Sequence, residues 1–140
     1  MLDFSSLSKA IAQLETSLTY ANSDLAKTDV QLALLLRSAS IQAFEYTYEL
    51  SHKFLKRYLE ATEPSTVALD EMTFPDLIRT GAEKGLLKNS WDVWQLYRKA
   101  RGTTSHTYSE MAASKVFAII PDFVEEVRFL RNKLVERPIE

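Results

Sequence analysis

Cysteine is absent from this chain, and histidine occurs only at positions 52 and 106. Without thiols there are no disulfides and no thiolate metal sites. Two widely separated imidazoles do not make a His-rich metal centre, so no metal and no cofactor are expected. Glycine (3) and proline (4) are scarce in 140 residues, which argues against a turn-dense β fold and for few, long helices. No uncharged apolar run reaches the ~18 residues of a membrane span, so no membrane partner is expected. Met1-Leu2-Asp3-Phe4-Ser5 lacks the basic start and apolar run of a signal peptide. Charge excess is also small, 17 Lys and Arg against 19 Asp and Glu for a net −2. That balance disfavours indiscriminate nucleic-acid binding, whose affinity comes mainly from neutralised phosphates, yet it leaves room for a local basic groove. A cytoplasmic location is expected.

Apolar residues make up 46% of the chain and charged residues 26%, enough to build a real core and too few charges for disorder. A single helical domain over residues 1–140 is expected. Leu7, Ala10, Ile11, Leu14 and Leu18 recur at three- and four-residue steps, which predicts a first helix from about Ser5 to Ala21. Asn22-Ser23-Asp24 reads as a polar connection. Thr28 or Asp29 can cap a second helix continuing to about Ala61. The first half of that helix, from Val30 to Phe44, is apolar nearly all round and is expected to be enclosed. Its second half carries Phe54, Leu55, Tyr58 and Leu59 on one face, and Glu49 stands four residues before Lys53 in a favourable ion-pair order.

Beyond a break at Thr62 to Thr66, a short helix is expected around Pro75 to Glu83, with Gly81 and Gly85 as stop signals. Ser90 is placed to cap a fourth helix to about Arg101, with Trp91, Trp94, Val93 and Tyr97 inward. Ser109 is placed to cap a last helix to about Val135, kinked at Pro121. These segments predict an all-α antiparallel bundle of four to five helices.

Chemistry concentrates in Arg98-Lys99-Ala100-Arg101-Gly102-Thr103-Thr104-Ser105-His106-Thr107-Tyr108. On an unbroken helix, Arg101 and His106 would diverge by about 140°. A turn after Gly102, in the hydroxyl-rich Thr103-Thr104-Ser105, lets both reach one pocket. A guanidinium stays charged and grips phosphate through parallel hydrogen bonds, whereas an imidazole gives or takes protons near neutrality. Such a pair can cleave RNA without a metal, the arginine stabilising the phosphorane-like state. Arg98, Lys99, Thr104 and Ser105 are the accompanying candidates for holding RNA or nucleotide. The ordinary alternative is a solvated helix end.

Arg101-x4-His106-x-Tyr108, with Trp91 upstream and Phe44-Glu45-Tyr46-Thr47-Tyr48-Glu49-Leu50 on the long helix before it, resembles the HEPN family. The likeness is to the branch encoded beside a minimal nucleotidyltransferase and labelled nucleotidyltransferase substrate-binding protein. It implies an antiparallel helical bundle that forms a homodimer. It implies a toxin of a type VII-like toxin–antitoxin pair, with Arg101 and His106 as a metal-independent endoribonuclease centre. It further implies that Tyr108 receives AMP from the partner nucleotidyltransferase, placing negative charge and bulk in a groove built for RNA phosphate. The family usually carries a polar residue directly after the arginine, where this chain has Gly102. The alternative implied by the same resemblance is a non-catalytic subunit that binds nucleotide or substrate for that nucleotidyltransferase.

Other residues carry plainer expectations. His52 reads as a packed helix histidine, and Trp91 and Trp94 as core. Lys53, Lys56, Arg57, Arg98 and Lys99 read as solvated surface unless the fold sets them beside His106. Glu45 is a candidate to orient Arg101 by ion pairing.

Overall fold

The computed structural model describes residues 2–64, 67–104 and 109–137. Over them the chain forms α1 (Ser5–Ala21), α2 (Asp24–Thr28), α3 (Val30–Thr62), α4 (Val67–Asp70), α5 (Phe74–Glu83), α6 (Trp91–Thr103) and α7 (Glu110–Glu136), with no strand among the described residues. Local chemistry sets most of the starts. The side chains of Ser23, Asp29, Thr73 and Ser109 each accept from the backbone N–H three residues on, those of Ala26, Leu32, Asp76 and Ala112, satisfying donors that a helix leaves orphaned.

Helices α1, α3, α6 and α7 build an antiparallel bundle around one apolar cluster. The Arg37–Glu110 pair joins the N-terminal ends of α3 and α7, and the Tyr58 hydroxyl donates to the Arg137 carbonyl at their C-terminal ends, so these two run parallel. Helix α1 runs against them: Phe4 meets Phe54, and the Thr47 hydroxyl donates to the Ala10 carbonyl. Helix α6 also opposes α3, Trp94 lying by Tyr48 while Arg101 meets Glu45 and Glu49. Phe44, Trp94, Tyr97 and Phe123 fill the centre in edge-to-face contacts. Burial of each such side chain contributes roughly 1.5–3 kcal/mol.

One buried carboxylate anchors the entry to α6. Glu126 of α7 is fully buried, and its two oxygens accept from the backbone N–H groups of Lys88 and Asn89 at 2.7 and 3.0 Å and from the Asn89 amide at 3.1 Å. Burial raises its pKa, while the donors pull the other way. Ser90 stands at the N-cap of α6 without a side-chain hydrogen bond, so the expected serine cap is absent and the carboxylate of α7 holds the preceding residues instead.

Further expectations need correction. The polar connection at residues 22–24 gives way to a short helix, α2, once Ser23 caps it. The first half of α3 is not enclosed within this chain: Val30 is 72% exposed and Leu35 68%, with Leu34 exposed beside them. Gly81 is no stop signal but a buried position inside α5, where a Cβ would stand 3.1 Å from Leu55 and Leu87. Gly85 does end that helix region, with φ of +75°. Helix α6 continues through Gly102 to Thr103 rather than ending at Arg101, whereas α7 keeps its expected span with Pro121 inside it.

Candidate functional site

Arg101 sits in the last turn of α6 with its side chain about one-third exposed, facing the middle of α3. Its Nε donates to Glu49 Oε1 at 3.1 Å, one Nη donates to the Thr104 hydroxyl at 3.0 Å, and the other Nη lies 3.7 Å from Glu45 Oε1. Thr104, mostly buried, donates in turn to the Arg101 carbonyl at 2.7 Å. The guanidinium is therefore held in place from three sides, and the contact to Glu45 is the loosest. Beside it opens a groove of about 490 Å³ lined by Ser38, Ile41, Gln42, Glu45 and Thr104. Arg101 itself does not line that groove; Glu45 and Thr104, which both touch its guanidinium, do.

The Glu45 pairing expected from the sequence is present, but Glu49 matters more. The sequence assigned Glu49 to Lys53; instead it bridges Arg101 and His52, whose Nε2 lies 3.4 Å from Glu49 Oε2. The signal was available, because Glu45 and Glu49 are four residues apart on one helical face. His52 packs edge-on against Tyr48 and Phe74. Burial lowers its pKa, with Glu49 working in the opposite direction. Tyr48, beneath it, has its phenol pushed up to about 12 by burial.

The basic residues of α6 diverge. The Arg98 guanidinium lies 5.1 Å from the Phe74 ring centroid and 6.0 Å from that of Trp91. Lys99 lines a second groove, about 450 Å³ between α6 and α7, with Leu96, Thr103, Ser109, Met111 and Lys115. Trp94 is core as expected, while Trp91 is only partly buried. Arg57 stacks over Phe54. Gly102 is exposed, and a Cβ built there meets nothing within 4 Å. Ser105, His106 and Tyr108 lie outside the described residues, between the end of α6 at Thr103 and the cap of α7 at Ser109. Among the described residues no group of three or more His, Asp or Glu is gathered to hold a metal ion. None of their helices is long and apolar enough to cross a membrane.

Comparison with known proteins agrees with this architecture. Residues 2–136 match the family described as nucleotidyltransferase substrate binding protein like. The "Probable ribonuclease HepT" of Haemophilus influenzae is 34% identical over 134 residues, covering 96% of this chain and 88% of that protein. A solved structure from Haemophilus influenzae, described as revealing the fold of a substrate binding domain of a nucleotidyltransferase, superposes with a TM-score of 0.87 at 31% identity. It covers 94% of this chain and 98% of that one. A Thermus thermophilus crystal structure superposes with a TM-score of 0.66 at 28% identity, covering 91% and 97%. The family expected from the arginine, histidine and tyrosine spacing is thus the one found, and the chain belongs to the nucleotidyltransferase substrate binding protein like family.

Proposed function

We propose that this chain is the toxin half of a type VII-like toxin–antitoxin pair, a dimeric, metal-independent endoribonuclease acting through Arg101 and His106. A separately encoded minimal nucleotidyltransferase silences it by adding AMP to Tyr108. The observation that carries this reading is the anchored guanidinium of Arg101, held beside an open groove and five residues before the histidine. A relative named a ribonuclease, matching along nearly the whole chain, supports it.

In the reaction, the 2′-hydroxyl attacks the adjacent phosphorus and the bond to the 5′-oxygen breaks, leaving a cyclic phosphate and a 5′-hydroxyl end. His106 takes the proton of the 2′-hydroxyl or gives one to the departing 5′-oxygen. Arg101 stabilises the charge that builds on the phosphorane-like oxygens. Its anchoring by Glu49 and Thr104 means that little reorganisation is needed as that charge develops. One chain supplies one such histidine, and a two-fold dimer brings two pairs to a shared cleft. The open apolar side of α3, with Val30, Leu34 and Leu35, suits that dimer contact, since a monomer rarely leaves such a patch in water. Leu35→Glu should then convert dimer to monomer in light scattering.

The test is RNA cleavage by the purified chain in EDTA without its partner, set against His106→Ala and Arg101→Ala. Loss in both variants supports the assignment, and undiminished cleavage in either refutes it. One observation favours a second reading, a non-catalytic subunit that binds nucleotide for the nucleotidyltransferase. Two carboxylates, Glu45 and Glu49, face a single guanidinium, which weakens its pull on a transition-state anion. A wild-type chain that cleaves no RNA yet binds both nucleotide and nucleotidyltransferase would establish that reading.

A further inference from the structure

The stripe of α3 that holds Arg101 does not end there. Glu45, Glu49, His52 and Lys56 follow at steps of four, three and four residues, one helical face leading away from the groove. At its far end lies a separate cavity of about 310 Å³ between α3, α4 and α5. Its floor is apolar, formed by Leu69, Met72 and Leu77, and Phe74 and His52 stand edge to face as a wall, their centroids 5.2 Å apart. Lys53 and Lys56 line the same cavity, and neither makes an ion pair among the described residues. A hollow of this size lies at the small end of the ~300–1,000 Å³ typical of ligand pockets.

The combination is chemically selective. An apolar floor with an aromatic wall accepts a flat ring, which gains by stacking whatever its hydrogen-bonding edge. Two ammonium groups without carboxylate partners attract a phosphate. His52, held towards its neutral form by burial, offers a donor or acceptor to a ring edge without adding charge. Arg98 lies over the Phe74 ring, 5.1 Å from its centroid, and brings a third cation near the same wall.

The geometry points to this cavity as a nucleotide subsite, where the base rests on Phe74 and His52 and the phosphate meets Lys53 and Lys56. The assignment rests on the reading that this chain handles RNA or nucleotide, and extends it to a second place on the surface. The ligand's chemistry is that of a nucleoside monophosphate, either one residue of an RNA strand continuing from Arg101 or a free mononucleotide. Glu49 couples the two places, because one carboxylate touches both His52 and Arg101.

The experiment uses the full chain carrying His106→Ala, so that binding is read without cleavage. AMP and a six-residue oligoadenylate are titrated by calorimetry at low salt. The background chain is compared with Lys53→Gln/Lys56→Gln, with Phe74→Leu, and with the charge-matched control Lys9→Gln/Lys27→Gln on other helices. The lysine pair variant should weaken binding at least tenfold and flatten its salt dependence, Phe74→Leu should weaken it several-fold, and the control should leave it unchanged. Weakening with both probes identifies a mononucleotide site, and weakening with the oligomer alone identifies a strand subsite. Circular dichroism shows whether each variant is folded. Binding that neither variant weakens, or no binding of either probe, overturns the assignment. Absence of cleavage by the wild-type chain overturns the ribonuclease reading while leaving this binding result intact.

Discussion

Removal of the Glu126 carboxylate should be the most damaging single change away from the apolar core. The side chain is fully buried, and its two oxygens serve three N–H donors that belong to residues 88 and 89. Glu126→Ala deletes those bonds and leaves two backbone N–H groups without acceptors. Hydrogen bonds to a charged acceptor contribute ~1.5–3 kcal/mol each, and orphaned buried donors cost ~1–3 kcal/mol each. Water entering the vacated space recovers part, so about 3–5 kcal/mol of destabilisation is expected. At ~2–4 °C per kcal/mol for a chain of this size, the melting temperature should fall by roughly 6–20 °C. Glu125 is the internal control. It is the next residue along, pairs with Lys88 at 3.3 Å and is 64% exposed, so Glu125→Ala should cost under ~1 kcal/mol. Urea unfolding followed by circular dichroism measures both. A Glu126→Ala penalty as small as the control's would refute the view that this carboxylate holds the entry to α6.

Other consequences can be checked independently. Glu49→Ala loosens Arg101 on its Nε side, and RNA cleavage should drop about fivefold to tenfold, equivalent to ~1–1.4 kcal/mol, with the melting temperature nearly unchanged; unaltered cleavage would count against a positioning role. His52 has a folded-state pKa below its ordinary 6.5, chiefly through burial. The unfolded chain therefore takes up that proton first, and stability contributed by His52 is present above about pH 6.5 and lost as pH falls through the folded value. A His52→Gln variant should flatten the stability profile between pH 7 and 5. The glycines of α5 and α6 should respond oppositely to alanine. Gly81→Ala forces a methyl against Leu55 and Leu87 and should destabilise by ~1–3 kcal/mol. Gly102→Ala meets open space within α6 and should stabilise by up to ~1 kcal/mol.

The helices could be read from the chain because their signals are local. The apolar steps through Leu7, Ile11 and Leu14 repeat at helical spacing and face the core as expected, and in α7 Val116, Ile120, Phe123, Val127, Leu130 and Leu134 do the same. Asp29 and Ser109 stand three residues from the N–H groups they cap. Helix α2 escaped notice because five residues are too few to display a period, and Ser23 read as a loop residue rather than a cap.

The amino-acid order alone therefore determined an all-α bundle and the approximate starts and ends of its long helices, and it marked the cation- and hydroxyl-rich stretch around Arg101 as the candidate site. Only the tertiary structure decided which partners those residues take. Glu49 meets an arginine 52 positions away, Glu126 finds its donors 37 and 38 positions back, and Val30 and Leu35 at the start of α3 are left exposed by the rest of the chain. Periodicity records that a face exists. What covers that face, and which charge lies opposite, depends on how separate helices pack in space, and no spacing within a single helix carries that information.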